Sequence, residues 1–146
     1  MTTTTVSQVL KEKGGQVWTT SPDTTVYQAL KLMSDKNIGA LVVLDGGKMA
    51  GIFTERDYAR KVILRGKSSM DTPVKEIMTH KVYCIPPTRT VEECMALMTD
   101  KRVRHLPVLD ENEALIGLVS IGDVVKKVID NQEFTIRQLD NYIMGI

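Results

Sequence analysis

Val17-Trp-Thr-Thr-Ser-Pro-Asp-Thr-Thr-Val26 and Val82-Tyr-Cys-Ile-Pro-Pro-Thr-Arg-Thr-Val91 are one pattern written twice, 65 positions apart. The register continues through Leu32-Met-Ser-Asp-Lys36 over Leu97-Met-Thr-Asp-Lys101, and through Leu41-Val-Val-Leu-Asp45 over Leu106-Pro-Val-Leu-Asp110. One inserted residue in the next turn shifts it, so that Gly51-Ile-Phe-Thr-Glu-Arg-Asp57 lies over Gly117-Leu-Val-Ser-Ile-Gly-Asp123. About twelve identities between positions 17 and 45 share one register, too many for chance self-similarity.

Each copy reads as strand, helix, strand, strand, helix. A short strand (Val17 to Thr20; Val82 to Ile85) ends at Pro22 or at Pro86-Pro87, which halt ladder pairing. A helix follows over Thr25 to Lys36 and Thr90 to Lys101, with threonine as N-cap. Val26, Ala29, Leu30 and Met33 recur at helical spacing, as do Val91, Cys94, Met95 and Met98, and these methionine-rich faces are assigned to the core. Strands are expected at Ala40 to Leu44, Met49 to Phe53, His105 to Leu109 and Ala114 to Val119, with helices at Thr54 to Leu64 and Ser120 to Ile129. A unit of about 50 residues cannot bury its apolar faces alone, so the copies should pack together. This places residues 1–67 in a first repeat with a docking helix at Val6, Val9 and Leu10. Residues 68–73 form a linker, and 74–130 a second repeat opened by a helical turn at Val74 to Met78. Residues 131–146 form a tail helix.

Composition excludes several classes. The 146 residues carry a net charge of +1, too balanced for a protein that grips duplex nucleic acid, and aromatic stacking platforms are few at 5%. No apolar run approaches the roughly 18 residues of a membrane span, and Met1 to Thr5 has no signal-peptide character, so a cytoplasmic location is expected. Cys84 and Cys94 have no metal-ligand spacing and read as packing residues; His80 and His105 form no zinc motif. No nucleophile–base pair and no GxxxxGK[ST] loop is present, so no catalytic residue is assigned.

The doubled element order, each copy ending in Gly-x-x-[Ser/Thr]-x-x-Asp, resembles a tandem pair of CBS domains, the family named after cystathionine β-synthase. Arg102-Val-Arg-His-Leu-Pro-Val-Leu-Asp110 and Val74-Lys-Glu-Ile-Met-Thr79 add to the likeness, which covers about residues 6 to 130. The resemblance implies an α/β (α+β) fold in which two β-α-β-β-α repeats pack through their small sheets with pseudo-two-fold symmetry. It implies clefts that take adenosyl ligands (AMP above all, also ADP, ATP, NAD(H) or S-adenosylmethionine), association of two pairs as a homodimer, and a regulated partner protein.

Two chemistries fit Thr54-Glu-Arg-Asp57 and Ser120-Ile-Gly-Asp123. A helix N-terminus offers free N–H groups to phosphate, and a carboxylate one turn on accepts bonds from ribose hydroxyls. The same spacing is also a capping box, in which both side chains serve the helix's own N–H groups. Carried over from the family, one cleft uses Ile52, Thr54, Arg56 and Asp57, with Cys84, Ile85 and Val103 around the base and Arg104 and His105 as cationic phosphate contacts. The other uses Leu118, Ser120 and Asp123, with Thr19, Thr20, Ile38 and Gly39 around the base. Gly39-Ala40 stands where the second repeat has Arg104-His105, and Gly122 where the first has Arg56, so the second cleft is expected to be the weaker for want of cations. The cation-rich face from Arg56 and Arg60 to Lys67 reads mainly as solvated helix. An assembly module with empty clefts is the alternative to a nucleotide sensor, and a small nucleotide-acting enzyme the least favoured.

Overall fold

The computed structural model describes residues 4–131, so the expected tail helix lies outside the described residues. The chain divides into two compact units. One is Gln16–Tyr83; the other joins the segment up to Gly15 to the segment from Cys84 onward.

In the continuous unit, β1 (Thr19–Thr20) pairs in parallel with β2 (Ala40–Asp45), which pairs antiparallel with β3 (Lys48–Thr54). Between β1 and β2, α2 (Val26–Lys36) is capped by Thr25, which accepts the Gln28 N–H while the Gln28 side chain returns to the Thr25 N–H. Asn37 ends it in the left-handed region at φ 54°, a conformation asparagine tolerates. Val26, Ala29 and Met33 turn inward against Leu41, Val43 and Phe53. The helix expected over Thr54 to Leu64 is not uniform. It opens as a short α-helix, α3 (Glu55–Tyr58), and widens into a π-helical turn at Ala59–Ile63, where the Leu64 N–H bonds the Ala59 carbonyl five residues back.

The second unit repeats the plan with α4 (Val91–Lys101), β4 (His105–Leu109), β5 (Leu115–Ser120) and α5 (Ile121–Asn131). Thr90 caps α4 and closes a capping box with Glu93. Val91, Cys94 and Met98 are buried, but Met95 is an exception to the expected methionine core and lies at the surface. The expected strand Val82 to Ile85 is reduced to one bridge, Ile85 with Val108. Ile85 donates to the Pro107 carbonyl and accepts from the Leu109 N–H. Extending that parallel ladder backwards needs an N–H at position 107, which proline lacks. The first repeat has Val42 at the matching position, and there the pairing is a true strand.

A second correction concerns the docking segments. The helix α1 (Val6–Lys13) does not serve the first repeat but packs on β5 and α5 of the second. Its entry is stitched by the Val6 N–H to the Arg89 carbonyl, the Ser7 N–H to the Pro87 carbonyl and the Val91 N–H to the Thr4 carbonyl. The 3-10 turn at Val74–Glu76 repeats the stitching on the first repeat, through Val74 N–H to Thr24 O, Lys75 N–H to Pro22 O and Val26 N–H to Thr72 O. Val74, Ile77 and Met78 complete the first repeat's core, and Val6, Val9 and Leu10 are buried in the other unit. Burying side chains of this size stabilises by about 1.5–3 kcal/mol each, enough to decide where such a segment docks.

Candidate functional site

The two Gly-x-x-[Ser/Thr]-x-x-Asp motifs occupy the same place in each unit, at the end of β3 or β5 and the first turn of α3 or α5. Both aspartates close capping boxes. Thr54 N–H donates to Asp57 Oδ2 at 3.0 Å, and Asp57 N–H to Thr54 Oγ1 at 3.2 Å. Ser120 N–H donates to Asp123 Oδ2 at 2.9 Å, and Asp123 N–H to Ser120 Oγ at 3.2 Å. Capping therefore operates in both copies.

Their remaining surroundings differ. Asp57 is 4% exposed, and its Oδ1 accepts from Thr79 Oγ1 at 2.9 Å and pairs with Lys61 Nζ at 3.0 Å. Lys61 also donates to the Ile77 carbonyl at 3.1 Å. The site is thus closed by the docking segment and by the next turn of its own helix. Asp123 is only half-buried. Its Oδ2 meets Lys13 Nζ of α1 at 2.6 Å, and Lys13 also donates to the Leu118 carbonyl at 2.7 Å. Burial works to raise the Asp123 pKa, but Lys13 and the Ser120 N–H outweigh it and hold the carboxyl below its ordinary value.

Arg104 and His105 lie in the same unit as Asp123. His105 pairs across the sheet with Ser120, and the Ile121 N–H donates to the Arg104 carbonyl at 2.8 Å. Burial, helped by the charges of Lys13 and Arg104 and opposed by Asp123, pushes the His105 imidazole down to about 4. It is therefore neutral at pH 7, where a cationic group was expected; the cation paired with Asp123 is Lys13. Fewer cations were expected here than at Asp57, and Lys13 adds one from outside the motif. Lys13 was missed because no local spacing links it to a residue 110 positions away.

Of the other expected residues, Ile52 is buried on β3 and Arg56 is exposed on α3. Thr19 and Thr20 are half-buried on β1. Ile38 and Gly39 line an open groove of about 660 Å³ with Leu30, Ser34, Tyr58 and Ala59. In the other unit Ile85 is buried, while Cys84, Val103 and Leu118 are half-buried. Burial raises the Cys84 thiol, and burial with Glu93 and Glu92 takes Cys94 up to about 11, so neither is a ready nucleophile. Among the described residues no group of three or more His, Cys, Asp or Glu side chains is placed to hold a metal, and no helix is long and apolar enough to cross a membrane.

Two duplicated α/β units, each presenting a carboxylate at a capped helix start beside a small sheet, define a repeat module of the regulatory kind. A CBS-domain family model matches residues 3–64 and 74–130, and the chain belongs to that family. It is 45% identical over 152 residues to the mitochondrial CBS domain-containing protein CBSX3 of Arabidopsis thaliana, covering 97% of this chain and 73% of that one. A solved protein with CBS domains from Burkholderia ambifaria MC40-6 superposes with a TM-score of 0.86 at 57% identity, covering 91% of this chain and 99% of the other. A hexameric CBS-CP12 protein from bloom-forming cyanobacteria matches with a TM-score of 0.76 at 27% identity, covering 86% of this chain and 72% of that one.

Proposed function

We propose that this CBS pair is a non-catalytic sensor that binds an adenine nucleotide, AMP or one of ATP, NAD(H) and S-adenosylmethionine, and passes its occupancy to a partner protein. The observation that carries the proposal is the grouping of Ser120, Asp123 and Lys13 in one unit: a helix start, an incompletely buried carboxylate and an ammonium. Those are the groups a phosphorylated sugar needs, acceptors for its hydroxyls and donors for its phosphate. The Asp123 side is the better candidate of the two. At Asp57 the nearly complete burial and the Thr79 and Lys61 bonds favour a purely structural carboxylate.

A ligand acts as a signal only if it binds two arrangements of the protein with different affinity. Exposed apolar side chains on the helices (Tyr27, Ile63 and Leu64 in one unit, Met95, Ile121 and Val125 in the other) support self-association of pairs as part of that response. A cytoplasmic setting accords with two free cysteines. Isothermal titration of AMP, ATP, NAD(H) and S-adenosylmethionine is expected to give saturable binding by at least one, weakened by Asp123→Asn. Silence from all four leaves the assembly-module reading in place of the sensor.

A further inference from the structure

Lys13 ends α1, whose apolar side chains Val6, Val9 and Leu10 are buried in the second unit. Its ammonium is aimed at the one motif carboxylate that keeps contact with solvent. An ammonium has three N–H donors. Two are used, on Asp123 Oδ2 and on the Leu118 carbonyl, which leaves one. On the aspartate, Oδ2 carries both the Ser120 N–H and Lys13, while Oδ1 receives no hydrogen bond from the described residues. Donor and acceptor therefore stand side by side with capacity on each. A sugar hydroxyl uses such a pair directly, donating to the carboxylate and accepting from the ammonium, and a phosphate oxygen takes the ammonium alone.

We propose that Lys13 is a ligand-binding residue of the Asp123 site, its remaining N–H received by a sugar or phosphate oxygen of the nucleotide, so that occupancy holds the end of α1. The inference rests on the nucleotide-binding reading above and adds to it the residue that carries the message outward. The matching position on the first repeat shows the contrast: there the docking segment presents the Thr79 hydroxyl, a neutral group on a buried aspartate.

A second ion pair between the same helices provides the control. Glu12 pairs with Lys127, also joining α1 to α5, without contacting Asp123. Titration of AMP and adenosine into the full chain, with melting temperature recorded for each variant, separates binding from docking. Lys13→Met is expected to weaken AMP binding about tenfold or more, the loss of one charge-assisted hydrogen bond. Lys13→Arg recovers part of it, and Glu12→Gln stays within about twofold of the parent even though Lys13→Met and Glu12→Gln each lower the melting temperature. Lys13→Met added to Asp123→Asn should weaken binding beyond Asp123→Asn alone, because the ammonium touches the ligand itself. Unchanged AMP affinity in Lys13→Met, equal losses in Lys13→Met and Glu12→Gln, or full affinity in Asp123→Asn would each overturn the assignment. If the parent chain binds neither AMP nor adenosine, the nucleotide reading itself falls, a result distinct from any of these.

Discussion

Asp57 and Asp123 occupy equivalent positions in the two repeats, yet one is a nearly buried acceptor and the other a half-open one. The difference comes from the groups beside them, Thr79 and Lys61 against Lys13. Removing the buried acceptor leaves the Thr79 hydroxyl and the Thr54 N–H without a partner and Lys61 without its counter-charge, and a deserted buried donor costs more than the bond was worth. Asp57→Ala should therefore destabilise by about 2–3 kcal/mol in denaturant unfolding, and Asp123→Ala by about 1 kcal/mol. His105 predicts a pH effect. Its folded value of about 4 lies below the ordinary 6.5, so between those limits the unfolded chain binds a proton the folded chain refuses. Stability is full above about pH 6.5 and falls, by an amount on the order of 2–3 kcal/mol, as pH drops towards 4. Asp123, held low, gives up its contribution only below the ordinary carboxylate range. Unfolding curves at pH 7, 5.5 and 4.5 should show the slope, and His105→Gln should flatten it.

At the scale of the element, the motif glycine has a reason that its sequence pattern does not disclose. A Cβ on Gly51 would stand 2.7 Å from the Thr79 carbonyl oxygen and 3.0 Å from Met78 Sδ, because the docking segment crosses β3 at that point. A Cβ on Gly117 would meet Leu10 Cδ2 of α1 at 2.5 Å. The first obstacle is backbone and cannot step aside; the second is the tip of a flexible side chain. Gly51→Ala should cost about 1–3 kcal/mol, with no side-chain substitution restoring it. Gly117→Ala should cost less, and combining it with Leu10→Ala should show a coupling of about 1 kcal/mol in a double-mutant cycle by thermal denaturation. Element boundaries follow the same local chemistry. The threonine caps of α2 and α4 were legible from the sequence and are present, whereas Pro107 reduced to one bridge the strand that the repeat had suggested at Val82 to Ile85.

In the whole molecule, each repeat's core is completed by the docking segment that precedes the other. Gln16–Tyr83 is consequently a continuous unit that contains its own Val74, Ile77 and Met78. A fragment of residues 16–83 is expected to give cooperative unfolding by circular dichroism and dispersed amide resonances. A fragment of residues 1–67, which follows the division suggested by the sequence, lacks those three side chains and should not. The repeat, the threonine caps of α2 and α4 and the positions of both aspartates were settled by the sequence alone, because turn chemistry, hydrophobic period and duplication are local or self-referencing signals. Tertiary structure alone decided which docking segment serves which repeat, that Asp57 is buried, that His105 is neutral and that Lys13 reaches Asp123. Each of those depends on the environment assembled by distant residues, and burial and charge act through space without regard to separation along the chain.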